Sequence, residues 1–128
     1  MFPAKKVMSS DVVSVSRDTD IYEAIAAMVN ANVTGLPVVN PDGTLAGILS
    51  EKDVLRLLCD AEDHGGKVEG YMTGDIVTFG EDDSLVDIAD CFMKHNFRRV
   101  PILRDGKIVG IVSRRDVVRF ILSLRHTK

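Results

Sequence analysis

The pattern of apolar and polar positions changes period along the chain. The run Val12–Val15 is short and rich in β-branched residues, which is typical of a strand. After "RDTD" the apolar residues recur at steps of three and four, which predicts a helix whose cap is Thr19 or Asp20. The apolar residues that define this helix are Ile21, Ile25, Met28 and Val29.

A hairpin and a second helix follow in the pattern. The runs "GLPVVN" and "TLAGILS" have strand character, and "PDG" between them predicts a tight turn. From Glu51 to about Asp60 the apolar spacing becomes helical again. The predicted order of elements is therefore β-α-β-β-α.

The second half of the chain repeats this order. With an offset of 64 residues, "VMSSDVVSV" lies over "YMTGDIVTF" and Pro37 over Pro101; after the turn the offset is 63. The elements predicted for this half are a strand at 76–79, a helix at 85–95, strands at 100–103 and 108–112, and a helix from 114 to about 124.

The repeat sets the expected architecture. We predict an α+β fold with one unit at residues 5–60, a polar, glycine-containing linker at 61–70 and a second unit at 71–124. Two repeats are too few for a solenoid, so we expect a pseudo-two-fold pair in which each half covers the apolar face of the other.

Composition and charge narrow the class of protein. The chain has 128 residues, 45% of them hydrophobic, and no apolar run near the ~20 residues that span a bilayer, so we expect a soluble cytoplasmic protein. Cys59 and Cys91 form no disulfide framework, and the histidines show no metal-ligand spacing. The net charge is -3, and the second half carries too little positive charge for a nucleic-acid surface, although its cations could neutralise a small anion.

One motif of the repeat carries chemistry: glycine, two apolar residues, serine, two variable residues and aspartate. It occurs as "GILSEKD", which contains Ser50 and Asp53, and as "GIVSRRD", which contains Ser113 and Asp116. One interpretation is a capping box that only stabilises the helix start. The other is an anion site, in which free helix amides and the serine hydroxyl meet a phosphate while the aspartate accepts from ribose hydroxyls. The motif by itself leaves both open.

The complete frame closely resembles the CBS domain, named for cystathionine β-synthase, and it does so twice, from about Lys5 to Leu124. The resemblance implies a stand-alone CBS pair, or Bateman module, whose two clefts bind adenosine-type ligands such as AMP, ADP, ATP or S-adenosylmethionine. It implies ribose contacts by Asp53 and Asp116 and phosphate contacts by Ser50 and Ser113. It also implies that Ile48 and Ile111 line the base or ribose, and that main-chain groups at Val12, Val13, Ile76 and Val77 meet the adenine edge.

The two implied clefts differ in charge. In the first, the resemblance joins Ser50 and Asp53 with Arg98 and Arg99, and Lys52 adds a cation. In the second, it joins Ser113 and Asp116 with Thr34 and Gly35, while Arg114 and Arg115 stand at the helix start. A cation at a helix N-terminus opposes the dipole. These arginines therefore either meet an anion or acid, or point into solvent.

Three functions compete at this point. The first is a regulatory module that senses an adenine nucleotide or S-adenosylmethionine, requires no cofactor and signals to a separate effector protein. The second is an enzyme, which we do not expect, because no nucleophile–base pair, carboxylate dyad or phosphate-binding loop is present in the sequence. The third is a structural dimerisation module with empty clefts, which the presence of both aspartates disfavours.

The resemblance also implies a homodimer of CBS pairs. The apolar helix faces could supply the surface for this association or could equally form the internal core. The residues in question are Ile21, Ile25, Leu85 and Phe92.

Overall fold

The computed structural model describes residues 2–59 and 65–125, and these fold as two compact units. The described residues within 13–76 form the Ser50 unit, and those within 1–12 and 77–128 form the Ser113 unit. The unit boundaries therefore differ from the sequence repeat. The assignment of 5–60 and 71–124 as domains stays a prediction, and residues 60–64 at the start of the predicted linker lie outside the described part.

The Ser50 unit contains a three-stranded sheet whose strands lie side by side in chain order. Its elements are β1 (Val15–Ser16), α1 (Ile21–Ala31), β2 (Gly35–Val39), β3 (Leu45–Ser50), α2 (Glu51–Cys59) and a 3-10 turn at Val68–Gly70. The short β1 runs parallel to β2, and β2 pairs antiparallel with β3 as a hairpin.

The Ser113 unit repeats this arrangement, again with its three strands side by side in chain order. Its elements are a 3-10 turn at Ala4–Lys6, β4 (Phe79–Gly80), α3 (Leu85–Lys94), β5 (Arg99–Arg104), β6 (Lys107–Ser113) and α4 (Arg114–Arg125). The β5–β6 hairpin turns at Asp105 and Gly106, both with positive φ, as a two-residue turn requires.

The predicted α+β fold with its tandem repeat is confirmed. Helix α1 begins after Asp20, whose carboxylate accepts hydrogen bonds from the amides of Tyr22 and Glu23, so Asp20 rather than Thr19 is the cap. The first strand of each repeat begins later than the sequence predicts: only Val15–Ser16 and Phe79–Gly80 pair with the sheet. The apolar residues before them, Val12, Val13, Ile76 and Val77, are β-branched but have no ladder partner among the described residues.

In each repeat, the segment before the first strand, around Ser9 or Thr73, pairs with the last strand of the other repeat. We call these the leading segments. Thr73 forms both backbone hydrogen bonds with Ile48, each 2.9 Å long, and so covers the outer edge of β3. Ser9 does the same for Ile111 in β6, at 2.8 and 2.9 Å. An unpaired strand edge exposes amides and carbonyls that can pair with another chain, and the leading segments cover this edge.

Each unit has its own aliphatic core. In the Ser50 unit the fully buried residues include Ile21, Leu36, Val38, Leu49 and Val68. In the Ser113 unit they include Ile88, Val100, Ile102 and Val112, with Leu85 and Phe92 beside them. Ile21, Leu85 and Phe92 thus belong to the core and supply no external surface. Ile25 is partly buried against the core of the Ser50 unit.

A different set of apolar side chains lies exposed on the helices, and the repeat places them in equivalent pairs. These pairs are Tyr22 and Val86, Val29 and Met93, Leu55 and Val118, and Leu58 and Ile121. Because both repeats keep an apolar residue at each position, the exposure is a shared feature of the two units. We call this set the exposed apolar helix residues.

Candidate functional site

Ser50 and Asp53 form a closed hydrogen-bonded box where β3 passes into α2. The Ser50 amide and hydroxyl both donate to Asp53 Oδ2, each at 2.9 Å. The Asp53 amide in turn donates to Ser50 Oγ at 3.2 Å. The capping interpretation of the motif is therefore present in the structure. Both side chains are only half-buried, so the same groups also face outward.

Ser113 and Asp116 form a looser version of the box. The Ser113 amide donates to Asp116 Oδ2 at 2.8 Å, and the Asp116 amide donates to Ser113 Oγ at 3.1 Å. Among the described residues, the Ser113 hydroxyl has no acceptor and Asp116 Oδ1 has no donor. This second carboxylate therefore has an oxygen available for another hydroxyl group.

Thr73 belongs to the site formed by Ser50 and Asp53, although the sequence does not predict this role. Its hydroxyl donates to Asp53 Oδ1 at 3.2 Å, while its backbone holds Ile48. The hydroxyl at the same position of the other repeat, in Ser9, makes no hydrogen bond with Asp116. The signal was present in "YMTGD" over "VMSSD", where a hydroxyl residue follows methionine in both repeats.

Gly47 and Gly110 let these leading segments approach the strand closely. A Cβ on Gly47 would lie 2.5 Å from the Thr73 carbonyl oxygen. A Cβ on Gly110 would lie 2.5 Å from Met8 Sδ instead. The ladder also shifts register beside both glycines, where a bulge forms. Strand irregularity and close backbone approach thus occur together.

The chain passes from one unit to the other at the residues expected to meet adenine. Val12 belongs to the Ser113 unit and Val13 to the Ser50 unit, whereas Ile76 belongs to the Ser50 unit and Val77 to the Ser113 unit. Ile48 and Ile111 are half-buried beside their serines. Their contacts with a base or ribose stay a prediction.

Within each unit, the positions equivalent to Arg98 and Arg99 lie next to that unit's own serine. Gly35 is the ladder partner of Ser50, and the Thr34 carbonyl accepts from the Glu51 amide at 3.0 Å. Likewise Arg99 is the partner of Ser113, and the Arg98 carbonyl accepts from the Arg114 amide at 3.0 Å.

The pairings expected from the resemblance join residues of different units. They are Arg98 and Arg99 with Ser50, and Thr34 and Gly35 with Ser113. These pairings stay predictions.

Arg114 has a structural partner inside its own unit. Its guanidinium donates to the carbonyl oxygens of His95 at 2.7 Å, Phe92 at 3.0 Å and Phe97 at 2.5 Å, at and just beyond the end of α3. It also lies over the Phe92 ring, with Cζ 5.8 Å from the centroid. A cation there satisfies carbonyls left open at the helix end and complements its dipole. By contrast, Lys52, Arg98 and Arg115 form no ion pair with any described residue.

Helix α1, the equivalent of α3 in the first repeat, ends differently. This difference explains why the first repeat has no arginine at the position equivalent to Arg114. Asn32 adopts the left-handed conformation, with φ of 54°, and its amide bonds the carbonyls of Met28 and Val29. At the end of α3, His95 is extended instead, with φ of -132°. The side chain of Arg114 therefore supplies the hydrogen bonds to helix-end carbonyls that the left-handed cap supplies in the first repeat. In that repeat, the position equivalent to Arg114 is occupied by Glu51.

We expect Arg114→Ala to lower the free energy of unfolding by about 1 kcal/mol, because it removes charge-assisted bonds from partly exposed carbonyls. Glu51→Ala, at the equivalent position, is the matched control and should change stability by less than about 0.5 kcal/mol. Urea denaturation of both variants measures the difference. Unchanged stability of Arg114→Ala would contradict the capping role.

The described residues contain no cluster of three or more histidine, cysteine, aspartate or glutamate side chains able to hold a metal ion. Cys59 and Cys91 are free, and burial raises the pKa of the Cys91 thiol. Of the helices described, none is long and apolar enough to cross a membrane.

The fold and motif define a class: tandem repeats, each a small sheet with two helices and a serine–aspartate box at a helix start. The CBS domain model matches residues 4–60 and 68–123, and the chain belongs to the CBS domain family. An uncharacterized Methanocaldococcus jannaschii protein, MJ1225, is 31% identical over 119 residues, covering 93% of this chain and 42% of that protein. The chain therefore spans less than half of this relative.

Two solved structures resemble the chain over nearly their whole length. CBSX2 in complex with AMP has a TM-score of 0.90 and 29% identity, covering 98% of this chain and 99% of that one. The CBS domain pair of MJ0100, in complex with 5-methylthioadenosine and S-adenosylmethionine, has a TM-score of 0.83 and 26% identity, covering 97% and 98%. CBSX2 comes from Arabidopsis thaliana.

Proposed function

We propose that this chain is a non-catalytic regulatory module that binds an adenosine-type ligand at its two serine–aspartate boxes. The observation that carries the proposal is the occurrence of the same box in both units, half-buried and at the start of a helix. The AMP and S-adenosylmethionine complexes of two similar CBS pairs support this choice of ligand class.

The chemistry of the box suits a nucleoside. A carboxylate at the first turn of a helix accepts hydrogen bonds from neighbouring hydroxyls, as the ribose 2′ and 3′ positions offer. The helix start also favours negative charge through its dipole and free amides. We assign ribose to Asp53 and Asp116, and the phosphate region to Ser50 and Ser113.

We propose the Ser113 box, and not the Ser50 box to which the resemblance joins Arg98 and Arg99, as the better candidate for a phosphorylated ligand. Arg98, Arg99 and Arg115 all belong to the same unit as Ser113. Arg99 is the ladder partner of Ser113, and Arg115 follows Arg114 in the first turn of α4. Arg114 bonds carbonyl oxygens at the end of α3, so we assign it a structural role and propose Arg98 and Arg115 as the phosphate contacts.

A ligand titration tests the proposal. We expect AMP, ADP, ATP or S-adenosylmethionine to raise the melting temperature, because a ligand that binds only the folded chain stabilises it by about 2.7 kcal/mol at a hundred times its Kd. Differential scanning fluorimetry across a concentration series measures the shift. GMP is the matched control, since it keeps ribose and phosphate and changes only the base.

The titration also separates the competing functions. No shift with any of the four adenosine compounds would contradict the sensing function and favour a structural module with empty sites. An equal shift with GMP would show that the sites recognise ribose phosphate without the adenine base.

We further propose a homodimer that forms through the exposed apolar helix residues. Met93 and Val29 leave 79% and 71% of their surface exposed, and the repeat presents such residues in equivalent pairs. A two-fold interface uses the same patch on both partners. Light scattering should give twice the chain mass for the wild type and the monomer mass for a Val29→Glu, Met93→Glu variant; a wild-type monomer would contradict it.

The output of the module is also part of the proposal. A ligand that changes the conformation of the units or the dimer interface would alter the binding of a separate effector protein in the cytoplasm. A pull-down with and without ligand should recover a partner whose binding depends on the ligand, and identical recovery in both states would contradict signalling.

A further inference from the structure

The two serine–aspartate boxes are not equally ready to bind a hydroxyl group. Around Asp53, Oδ2 accepts from the Ser50 amide and hydroxyl, and Oδ1 accepts from the Thr73 hydroxyl. Around Asp116, Oδ2 accepts from the Ser113 amide, and Oδ1 accepts from no described residue. Among the described residues, donors therefore occupy both oxygens of Asp53 but only one oxygen of Asp116.

The hydroxyl groups of the two serines differ in the same direction. Ser50 donates its proton to Asp53, so this proton is not available to an incoming phosphate. Ser113 accepts from the Asp116 amide, and its proton has no acceptor among the described residues. A ligand at the Ser50 box must displace protein hydrogen bonds that have no counterpart at the Ser113 box.

We propose that Thr73 is a specificity-determining residue that competes with the ribose for Asp53, so that the Ser113 box fills first. This inference rests on the proposed function, because it assumes an adenosine-type ligand at both boxes. Thr73 can give up Asp53 without unfolding its segment, because two backbone hydrogen bonds to Ile48 hold it independently. Displacement thus costs one side-chain hydrogen bond and a rotation about χ1.

The two leading segments explain how this difference arises. Thr73 and Ser9 are equivalent in the repeat, and both bond the neighbouring strand through their backbone. Only the Thr73 hydroxyl reaches the carboxylate, at 3.2 Å. The competition therefore depends on one hydroxyl group and can be removed by one substitution.

The test isolates each box before the substitution is made. In an Asp116→Asn background, AMP binding by calorimetry reports the Ser50 box. There, Thr73→Val should tighten AMP about 3- to 10-fold, the range that a single hydrogen bond to a charged group supports when it is partly exposed. Thr73→Ser keeps the hydroxyl and should restore the weaker affinity.

The matched control is Ser9→Val in an Asp53→Asn background, which reports the Ser113 box. Its AMP affinity should not change, because the Ser9 hydroxyl makes no hydrogen bond with Asp116. Wild-type titrations should show two unequal sites, and the tighter one should be lost in Asp116→Asn.

The outcomes distinguish this inference from the proposed function. If AMP binds the wild type but Thr73→Val leaves its affinity unchanged, the competition is wrong and the function stands. Weaker binding by Thr73→Val would likewise overturn the competition, because it would make Thr73 a ligand contact. If neither AMP nor S-adenosylmethionine binds the wild type at either box, the proposed function and this inference both fail.

Discussion

Gly47→Ala should lower the free energy of unfolding by about 2–3 kcal/mol, whereas Gly110→Ala should cost about 1 kcal/mol or less. In the first case the new methyl group would lie 2.5 Å from the Thr73 carbonyl oxygen and 3.3 Å from its carbonyl carbon. These are backbone atoms, and the carbonyl is itself hydrogen-bonded to Ile48. The segment must therefore move away from β3 and weaken the pairing that closes the sheet edge.

At Gly110 the obstacle is a side chain. The new methyl group would lie 2.5 Å from Met8 Sδ and 2.7 Å from its Cγ. Methionine is flexible and can rotate away with little loss of packing. Both substitutions add a methyl group at the same position of the repeat. The methyl group contacts backbone atoms in Gly47→Ala and a flexible side chain in Gly110→Ala.

Thermal and urea denaturation of the two variants measure the difference directly. For a chain of this size, 2–3 kcal/mol corresponds to a fall of roughly 10 °C in melting temperature. Equal losses would show that the cost comes from the strand bulge beside both glycines. A larger loss at Gly110 would contradict the backbone contact at Gly47.

Asp53→Asn and Asp116→Asn should each weaken adenosine-ligand binding at their own box by at least about tenfold, because a ribose hydroxyl then loses a charged acceptor. Asparagine keeps an oxygen that can accept from the serine amide, so the helix start should keep most of its stability. Calorimetry for affinity and stoichiometry, with urea denaturation for stability, separates binding from capping.

Asp20→Asn is the control for this pair. Asp20 also caps a helix, α1, through the amides of Tyr22 and Glu23, but it carries no serine–aspartate box. Its variant should bind ligand as the wild type does. If both box variants keep wild-type affinity for a ligand that the wild type binds, the two carboxylates serve the helices alone and the ribose assignment is wrong.

The local elements could be predicted because local patterns determine them. Asp20 before an apolar helical run marks the start of α1, and Asp105-Gly106 permits the two-residue turn of the second hairpin. The serine–aspartate spacing likewise fixes where α2 and α4 begin, at Glu51 and Arg114.

The features that the sequence does not predict depend on contacts between residues far apart in the chain. Val12–Val15 has strand character, but only Val15 finds a partner in the sheet. Arg114 bonds the carbonyl of Phe92, 22 residues away, because α3 ends without a left-handed cap. Thr73 reaches Asp53 across 20 residues. No pattern within one window of sequence contains these partners.

Because each leading segment pairs with a strand of the other repeat, a single cut between the repeats should not separate them. A protease that cuts between residues 60 and 64 would not release two folded halves, because Thr73 on one fragment bonds Ile48 on the other, and Ser9 bonds Ile111 in the same way. The nicked molecule should keep its native elution volume and separate only in denaturant. Cleavage there would leave one folded molecule made of two peptides.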